Sequence, residues 1–284
     1  MSQGAHMLKT SKALAKEIIT TYRVSQGAKI HWGKWDPQET DFISDKEEAR
    51  KALEKIDERL GRLQELLFAE HKHKLLIVLQ GMDTSGKDGV IEHVFKGMNP
   101  QGTRVVSFKA PSLNELEHDY LWRVHSHVPK KGDVVIFNRS HYEDVLIVRV
   151  HHIVPEAVWK KRFDQINAFE KLLADEGTTI LKFYLHIDKD EQKKRLEERR
   201  DQPDERWKFR TEDLAERKLW PYYLKAYQDV LEKTSTPWAP WHIIPSNKKW
   251  YRNLLVASII TETLHNLKMK YPKAEKDISK VVIH

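Results

Sequence analysis

The segment LLIVLQGMDTSGKDGVIEHVF, residues 75–95, decides the fold of this 284-residue chain. A run of apolar residues leads to Gly81, and after four intervening residues Gly86 and Lys87 complete the Walker A spacing at the start of an amphipathic segment. In that setting the backbone N–H groups of the loop and the N-terminus of the helix converge on a phosphate. The segment therefore predicts a strand, a phosphate-binding loop and a helix.

One position of this loop departs from the Walker A pattern, because Asp88 stands where a Ser or Thr would bind Mg²⁺. Asp83 lies inside the loop, so carboxylates flank the predicted cradle. Mg²⁺ binds through one or two carboxylates plus water and phosphate oxygens, so we expect metal-bridged polyanion binding with Asp83 as the better ligand. Asp88 is either part of the site or, the role we favour, a cap of the helix. The candidate phosphate-binding residues are Gly81, Gly86, Lys87, Asp88 and Gly89.

Apolar runs and amphipathic segments alternate along the rest of the chain. This alternation predicts an α/β fold with a parallel sheet covered by helices on both faces. An apolar stripe predicts a helix over 45–70 that packs against the core or another subunit, and a final helix is expected over 248–269. We divide the chain into an N-terminal extension, 1–70, whose first seven residues resemble a cloning remnant, and a P-loop domain, 71–284. The predicted strands are 74–80, 103–108, 133–138, 178–187 and 241–245.

The third predicted strand ends in the polar run NRSHYEDV, residues 138–145. Ligands bind beyond the carboxyl ends of the strands in open α/β sheets, so this run is expected at the same edge of the sheet as the phosphate loop. A Walker B strand ends in a metal-binding Asp, but Asn138 occupies that place here and Asp144 follows later in the run. From this run we select Asp144 for metal binding, Arg139 for phosphate binding and Asn138 as a further ligand-binding residue.

The segment 189–218 has eleven basic and ten acidic residues, so it is not a simple basic patch. Most of these charges are expected on solvated helix surfaces. Gln-Pro-Asp at 202–204 separates two helical stretches, and Trp207 anchors a loop that carries Lys208. Two helices joined by a loop after the fourth strand match the lid of small phosphoryl-transfer kinases, which closes over the phosphates and excludes water.

The composition narrows the class of protein. A formal charge of +7 and a pI near 9.2 point to an anionic partner, but no zinc-finger spacing, RNP-type strand or dense basic helix indicates nucleic acid. The chain has no cysteine, and hence neither disulfides nor thiolate sites. No apolar run reaches the ~18–20 residues that span a bilayer, and the first residues lack the apolar region of a secretory signal. We therefore expect a cytoplasmic protein with no membrane partner.

Several motifs in order resemble those of the family-2 polyphosphate kinases: GMDTSGKDG, DYLWRVH, VIFNRSHYEDV, EGTTILKFYLHI and NKKWYRN. The similarity extends over nearly the whole chain, from about residue 25 onward. The resemblance implies a thymidylate-kinase-like P-loop fold with a helical lid, and an enzyme whose phosphate donor is inorganic polyphosphate. The phrase FNRSHYED is similar to the subgroup that phosphorylates both nucleoside mono- and diphosphates.

The resemblance also implies roles for individual residues. Asp83 and Asp144 would hold Mg²⁺, with Mn²⁺ as an alternative; other subgroups typically have an Asp where this chain has Asn138. The same resemblance ties Glu143 to the use of monophosphates. Because the family commonly forms dimers or tetramers, we expect a homodimer or a homotetramer. The basic residues implied along the polyphosphate are Arg123, Arg139, Arg199 and Lys208.

The predicted reaction is a reversible, Mg²⁺-dependent phosphoryl transfer between polyphosphate and AMP or ADP, or their guanine counterparts. An ATP-dependent nucleotide or nucleoside kinase is the first alternative, and a change of phosphate donor in an assay separates the two. A non-catalytic P-loop protein that binds nucleic acid is the second, which the carboxylates beside the cradle disfavour. The candidate catalytic residues are Asp83, Lys87, Arg139, Glu143 and Asp144.

Overall fold

A five-stranded parallel sheet forms the centre of the computed structural model, which describes residues 3–274 and residue 283. All the predicted strands form: β1 (Lys74–Gln80), β2 (Thr103–Ser107), β3 (Val134–Asn138), β4 (Thr178–His186) and β5 (Trp241–Pro245). Their spatial order is β2-β3-β1-β4-β5, and every neighbouring pair is parallel. The carboxyl ends of the strands therefore lie at one edge, where the loops after β1, β3 and β4 meet.

Helices cover the sheet and connect its strands. No helix among the described residues combines the length and the apolar character needed to cross a membrane. The α-helices are α1 (Gln3–Tyr22), α2 (Lys46–Glu70), α3 (Lys87–Val94), α4 (Leu113–Leu116), α5 (Trp122–His125), α6 (Ile147–Val150), α7 (Glu156–Asp175), α8 (Lys189–Asp201), α9 (Glu212–Lys218), α10 (Trp220–Thr234) and α11 (Lys249–Asn266).

Alternate residues of each strand face opposite sides of the sheet, and both sides are buried. In β1, Leu76 and Val78 belong to one hydrophobic cluster, together with residues of α7 and α10. Leu75 and Ile77 belong to a second cluster, together with residues of α2, α3 and α11. Burial on both faces explains why the strands read as nearly continuous apolar runs in the sequence.

The helix expected over 45–70 is α2. It begins after Asp45, whose side chain caps it by accepting a hydrogen bond from the N–H of Glu48 at 2.7 Å. Its apolar stripe packs against α11, and Leu60 and Leu67 are fully buried in that contact. The stripe is therefore covered within the chain itself.

The segment before α2 is bound to the rest of the fold by polar and apolar contacts. Tyr22 and Tyr251 both donate hydrogen bonds to Oε1 of Glu39, at 2.5 and 2.9 Å. Trp32 and Trp35 are partly buried and pack against the hydrophobic clusters of the core. These contacts join the N-terminal extension closely to the sheet, and the division of the chain at residue 70 stays a prediction.

A buried ionic network lies behind the loop that follows β3. Nζ of Lys182 and Oε2 of Glu170 are 2.6 Å apart, and neither side chain is accessible to solvent. Nζ also donates to Oη of Tyr142 and to the carbonyl oxygen of Thr234, each at 2.7 Å. Nε2 of His141 lies 3.2 Å from Oε1 of Glu170. The network therefore fixes the middle of the polar run, at His141 and Tyr142, from within the core.

We expect Lys182→Met to lower the free energy of unfolding by about 3–5 kcal/mol, because it leaves the Glu170 carboxylate buried without its counter-charge. The double variant Lys182→Met/Glu170→Gln should lose less, although it carries one more substitution, since no uncompensated charge remains. Urea denaturation of both variants measures the difference. A single variant as stable as the unmodified protein, or a double variant less stable than the single one, would contradict this prediction.

Candidate active site

The phosphate-binding loop joins β1 to α3 and needs glycine at two positions. A Cβ on Gly81 would lie 2.8 Å from the carbonyl oxygen of Leu185. Gly86 has a φ of +101°, and a Cβ there would lie 1.8 Å from Nη1 of Arg252. The loop therefore approaches the end of β4 and a side chain of α11 too closely to accept any larger residue at either position.

Lys87 is the first residue of α3, and its side chain folds back onto the loop. Nζ donates hydrogen bonds to the carbonyl oxygens of Gly81 at 2.9 Å and of Met82 at 3.2 Å. Burial, together with the charge of Arg139, lowers the pKa of Lys87 to about 8 against the opposing effect of three carboxylates. The structure thus gathers two cations and three acids at the cradle. The acids are Asp83, Glu143 and Asp88.

Asp88 and Asn138 are in direct contact, because Nδ2 of Asn138 donates to Oδ1 of Asp88 at 2.7 Å. The capping role that we favour from the sequence for Asp88 is wrong. The helix begins at Lys87 with Gly86 as its N-cap and without a side-chain cap hydrogen bond, so Asp88 lies in the first turn and not at the cap position. The two departures from the Walker patterns therefore bind each other across the site.

The polar run after β3 turns sharply at its first residues. Arg139 has a φ of +61°, and Oγ of Ser140 accepts a hydrogen bond from the N–H of Tyr142 at 3.2 Å. Oε1 of Glu143 accepts a hydrogen bond from Nε2 of Gln80, the last residue of β1, at 3.1 Å. This bond fixes Glu143 at the end of the central strand.

Asp144 forms an ion pair with a helix that covers the sheet. Nη1 of Arg162 lies 2.9 Å from Oδ1 of Asp144 and also donates to its main-chain oxygen at 3.0 Å. Burial raises the pKa of Asp144, although the charges of Arg162 and Arg123 oppose this shift. Any metal bound by this carboxylate would therefore share it with a guanidinium group.

The carboxylates suit a metal that arrives with phosphate. Within residues 3–274 and 283, no three His, Asp or Glu side chains are arranged so that they could hold a metal ion by themselves. Mg²⁺ needs only one or two protein carboxylates where phosphate oxygens and water complete its coordination. The two carboxylates that the sequence selects for such a site are Asp83, which is partly exposed beside Lys87, and Asp144.

Arg123 lies near Asp144 but is engaged with protein groups. Its side chain is nearly buried, Nη1 donates to the carbonyl oxygen of Lys109 at 2.9 Å, and the guanidinium group lies 5.4 Å from the centre of the Phe108 ring. Its charge acts on Asp144. The structure therefore places Arg123 near Asp144, with its guanidinium group bonded to the protein backbone.

The segment predicted to form the lid consists of α8, a short 3₁₀ turn and α9. Nη1 of Arg199 lies 4.0 Å from Oδ2 of Asp83, so a lid cation reaches the phosphate loop. Nε2 of Gln192 donates to the main-chain oxygen of Asp83 at 3.1 Å. Lys208 pairs instead with Glu205 at 2.7 Å. The structure thus brings Arg199 to the cradle and engages Lys208 within the lid.

Three residues at the site are missing from the sequence-based selection. Gln80 donates a hydrogen bond to Glu143. The sequence feature that could have indicated its role is that it is the single polar residue at the end of an apolar strand. Arg195 contacts the phosphate loop, although in the sequence it is only one of many arginines in a charged segment. Asp213 of α9 lies near Asp83: burial raises the pKa of Asp213, and the charge of Asp83 raises it further.

Residues 43–274 match the model of the family Polyphosphate kinase 2 (PPK2). The chain is 56% identical to the AMP/ADP-polyphosphate phosphotransferase of Meiothermus ruber over 263 residues, which cover 92% of this chain and 98% of that protein. It is 44% identical to the ADP-polyphosphate phosphotransferase of Rhodopseudomonas palustris over 264 residues, which cover 89% and 91%. The structure of polyphosphate kinase 2 from Arthrobacter aurescens TC1 aligns with a TM-score of 0.89 at 44% identity, over 93% of this chain and 94% of that one. The P-loop kinase fold and the resemblance are thereby confirmed, and this chain belongs to the polyphosphate kinase 2 family.

Proposed function

We propose that this protein transfers phosphoryl groups from inorganic polyphosphate to AMP and ADP, which yields ADP and ATP. The observation that carries the proposal is the cradle itself, where Lys87 and Arg139 lie among three carboxylates in a chain of the polyphosphate kinase 2 family. A relative that is 56% identical is named for both acceptors. A donor without base or sugar offers only charge for recognition, and a site of fixed cations and metal-binding acids suits such a donor.

The protein's own residues act in this proposal by positioning the phosphates and neutralising their charge. In phosphoryl transfer, negative charge is spread over the oxygens of the transferred group, so fixed cations nearby stabilise the transition state. Lys87 supplies one cation from the loop, Arg139 another from the strand end and Arg199 a third from the lid. The acceptor is a phosphate oxygen that is already ionised near neutral pH, so the site needs no strong base.

Asp83 and Asp144 would hold Mg²⁺, or Mn²⁺ in its place. A divalent ion there supplies the charge that lets phosphate oxygens approach carboxylates. Arg162 orients the Asp144 carboxylate through their 2.9 Å contact, as outer partners of metal ligands commonly do.

The proposed reaction is reversible, since donor and product are both phosphoanhydrides. Lid closure over the phosphates would exclude water, which would otherwise hydrolyse the donor. The contacts of Gln192 and Arg199 with Asp83 support a lid that meets the loop in this way. The expected homodimer or homotetramer and the expected cytoplasmic location stay predictions.

We expect Glu143→Gln to lower kcat/KM for AMP about 100-fold and for ADP by less than about fivefold. The variant keeps an oxygen that can accept the hydrogen bond from Gln80 but loses the charge, which the family resemblance ties to monophosphate use. Steady-state kinetics with each acceptor measure the ratio. Glu176→Gln, an exposed position at the end of α7, is the matched control. Equal losses with the two acceptors would contradict the prediction.

A luciferase assay tests the proposed function directly. The protein is given Mg²⁺ and polyphosphate with AMP in one reaction and ADP in a second, and ATP is expected in both. ATP formed only in the reaction with ADP would contradict the proposed phosphorylation of AMP. If neither reaction gave ATP, with guanine nucleotides also tried, and ATP phosphorylated AMP instead, the protein would be an ATP-dependent kinase.

A further inference from the structure

Two buried arginines contact the backbone of the phosphate loop. Arg195 of α8 and Arg252 of α11 are 5% and 2% exposed. Nη1 of Arg195 donates to the carbonyl oxygens of Thr84 and Ser85 at 2.9 and 3.0 Å. Nη1 of Arg252 donates to the same Ser85 oxygen at 3.4 Å. Both guanidinium groups therefore converge on the peptide that joins Ser85 to Gly86.

This convergence orients the peptide at the start of α3. A trans peptide is planar, so its N–H points away from its carbonyl oxygen. With the Ser85 oxygen held by both arginines, the N–H of Gly86 is directed away from them. A donor that is fixed before the ligand arrives needs no reorganisation when phosphate binds.

The guanidinium group of Arg252 lies directly against the first turn of α3. A Cβ on Gly86 would be 1.8 Å from Nη1 of Arg252, and a Cβ on Gly89 would be 3.0 Å from Nη2. The positive end of the helix and the positive charge of Arg252 therefore lie together, at the end of the helix where phosphate is bound.

The two arginines differ in their counter-charges. Nε of Arg195 lies 2.7 Å from Oε1 of Glu191, so Arg195 has a carboxylate as its counter-ion. Nε and Nη2 of Arg252 donate to the neutral amide oxygen of Asn253 at 3.0 and 2.8 Å. In the part of the chain that the structure describes, no carboxylate forms an ion pair with Arg252. Burial and the charge of Arg195 lower the pKa of Arg252 to about 9, which is the effect of a cation without a counter-ion.

We propose that Arg252 is a positioning residue whose charge has no counter-ion within the protein and is neutralised by the phosphate that binds on the loop. The phosphate chain is its counter-ion, and the charge acts through the backbone of Gly86 and the first turn of α3 without touching the ligand. A buried charge without a partner destabilises a fold, so its presence beside an anion site indicates use by the ligand. The inference rests on the proposed function only in taking a phosphate chain as that ligand.

Asn253→Asp tests the charge while keeping the contacts. The carboxylate can accept the same two hydrogen bonds and also gives Arg252 a permanent counter-ion. We expect the dissociation constant of tripolyphosphate with Mg²⁺, measured by isothermal titration calorimetry, to rise about tenfold, while the unfolding temperature holds or rises. Asn266→Asp, at the exposed far end of α11 and about 20 Å away along the helix, is the matched control and should bind like the unmodified protein.

A second pair of variants separates charge from shape. Arg252→Lys keeps the charge and should bind tripolyphosphate within about threefold of the unmodified protein, whereas Arg252→Gln should weaken binding about tenfold or more. Equal weakening by both would make the role geometric and overturn the proposal. Unchanged binding in Asn253→Asp would also overturn it, and that variant decides the matter if Arg252→Gln does not fold.

Turnover keeps this inference separate from the proposed function. A protein that binds tripolyphosphate with the expected variant pattern, yet forms no ATP from polyphosphate and ADP, would contradict the proposed function alone. A protein that forms ATP but whose Asn253→Asp variant binds tripolyphosphate unchanged would contradict the role of Arg252 alone.

Discussion

Lys87→Ala should fold normally and lose about 10³-fold in kcat for ATP formation from polyphosphate and ADP. The ammonium group is held on the loop by the carbonyl oxygens of Gly81 and Met82, so it is positioned before any substrate binds. Burial lowers the pKa of Lys87, which means that its charged form is disfavoured in the folded protein without ligand. Its removal should therefore leave the free energy of unfolding unchanged or slightly higher.

Steady-state kinetics and a thermal melt of the same preparation test this prediction. Lys51→Ala, an exposed lysine of α2, is the matched control for the loss of one lysine and should keep full activity. A stable Lys87→Ala protein that retained more than about a tenth of the activity would show that Lys87 does not stabilise the transition state. A protein that unfolded on this substitution would show that the side chain is structural.

Gly86→Ala should lose both activity and stability. The backbone of Gly86 has a φ of +101°, which an L side chain rarely adopts, and a Cβ would lie 1.8 Å from Nη1 of Arg252. Strain of this kind costs about 1–3 kcal/mol, and displacement of a buried group adds a comparable amount. The displaced guanidinium group of Arg252 holds the peptide whose N–H is directed toward the phosphate. We therefore expect kcat/KM to fall at least about 100-fold.

Gly33→Ala is the matched control, since no heavy atom lies within 4 Å of a Cβ there and the position has no left-handed φ. It should change the free energy of unfolding by less than about 0.5 kcal/mol. Urea denaturation and kinetics of the two variants, made side by side, give the comparison. A Gly86→Ala protein that matched the Gly33→Ala protein in both measurements would contradict the geometry of the loop.

The strands of the sheet could be predicted from the sequence because each one has a local pattern of residues. Each strand of a parallel sheet covered on both faces is a short apolar run, and the ends of all five strands fall within one residue of the predicted ends. The loop could also be predicted, since the spacing of Gly81, Gly86 and Lys87 between a buried strand and a helix is typical of a phosphate-binding loop.

The partners of the site residues could not be predicted, because they come from distant parts of the chain. The sequence around Asp88 is compatible with a helix cap, and only the fold brings Asn138 to 2.7 Å from it. Likewise, nothing in the charged segment distinguishes Arg195, which is buried under the loop, from the arginines that surround it. Which basic residues are solvated and which are structural is decided by burial, and burial depends on long-range packing.

The most direct test of the central claim follows the phosphate itself. Polyphosphate labelled with ³²P is mixed with unlabelled ADP, Mg²⁺ and either the unmodified protein or Lys87→Ala, and the nucleotides are separated after a short reaction. We predict label in the terminal phosphate of ATP with the unmodified protein, and at least about 100-fold less with Lys87→Ala. Label found only in inorganic phosphate, or ATP formed without label, would contradict polyphosphate as the donor.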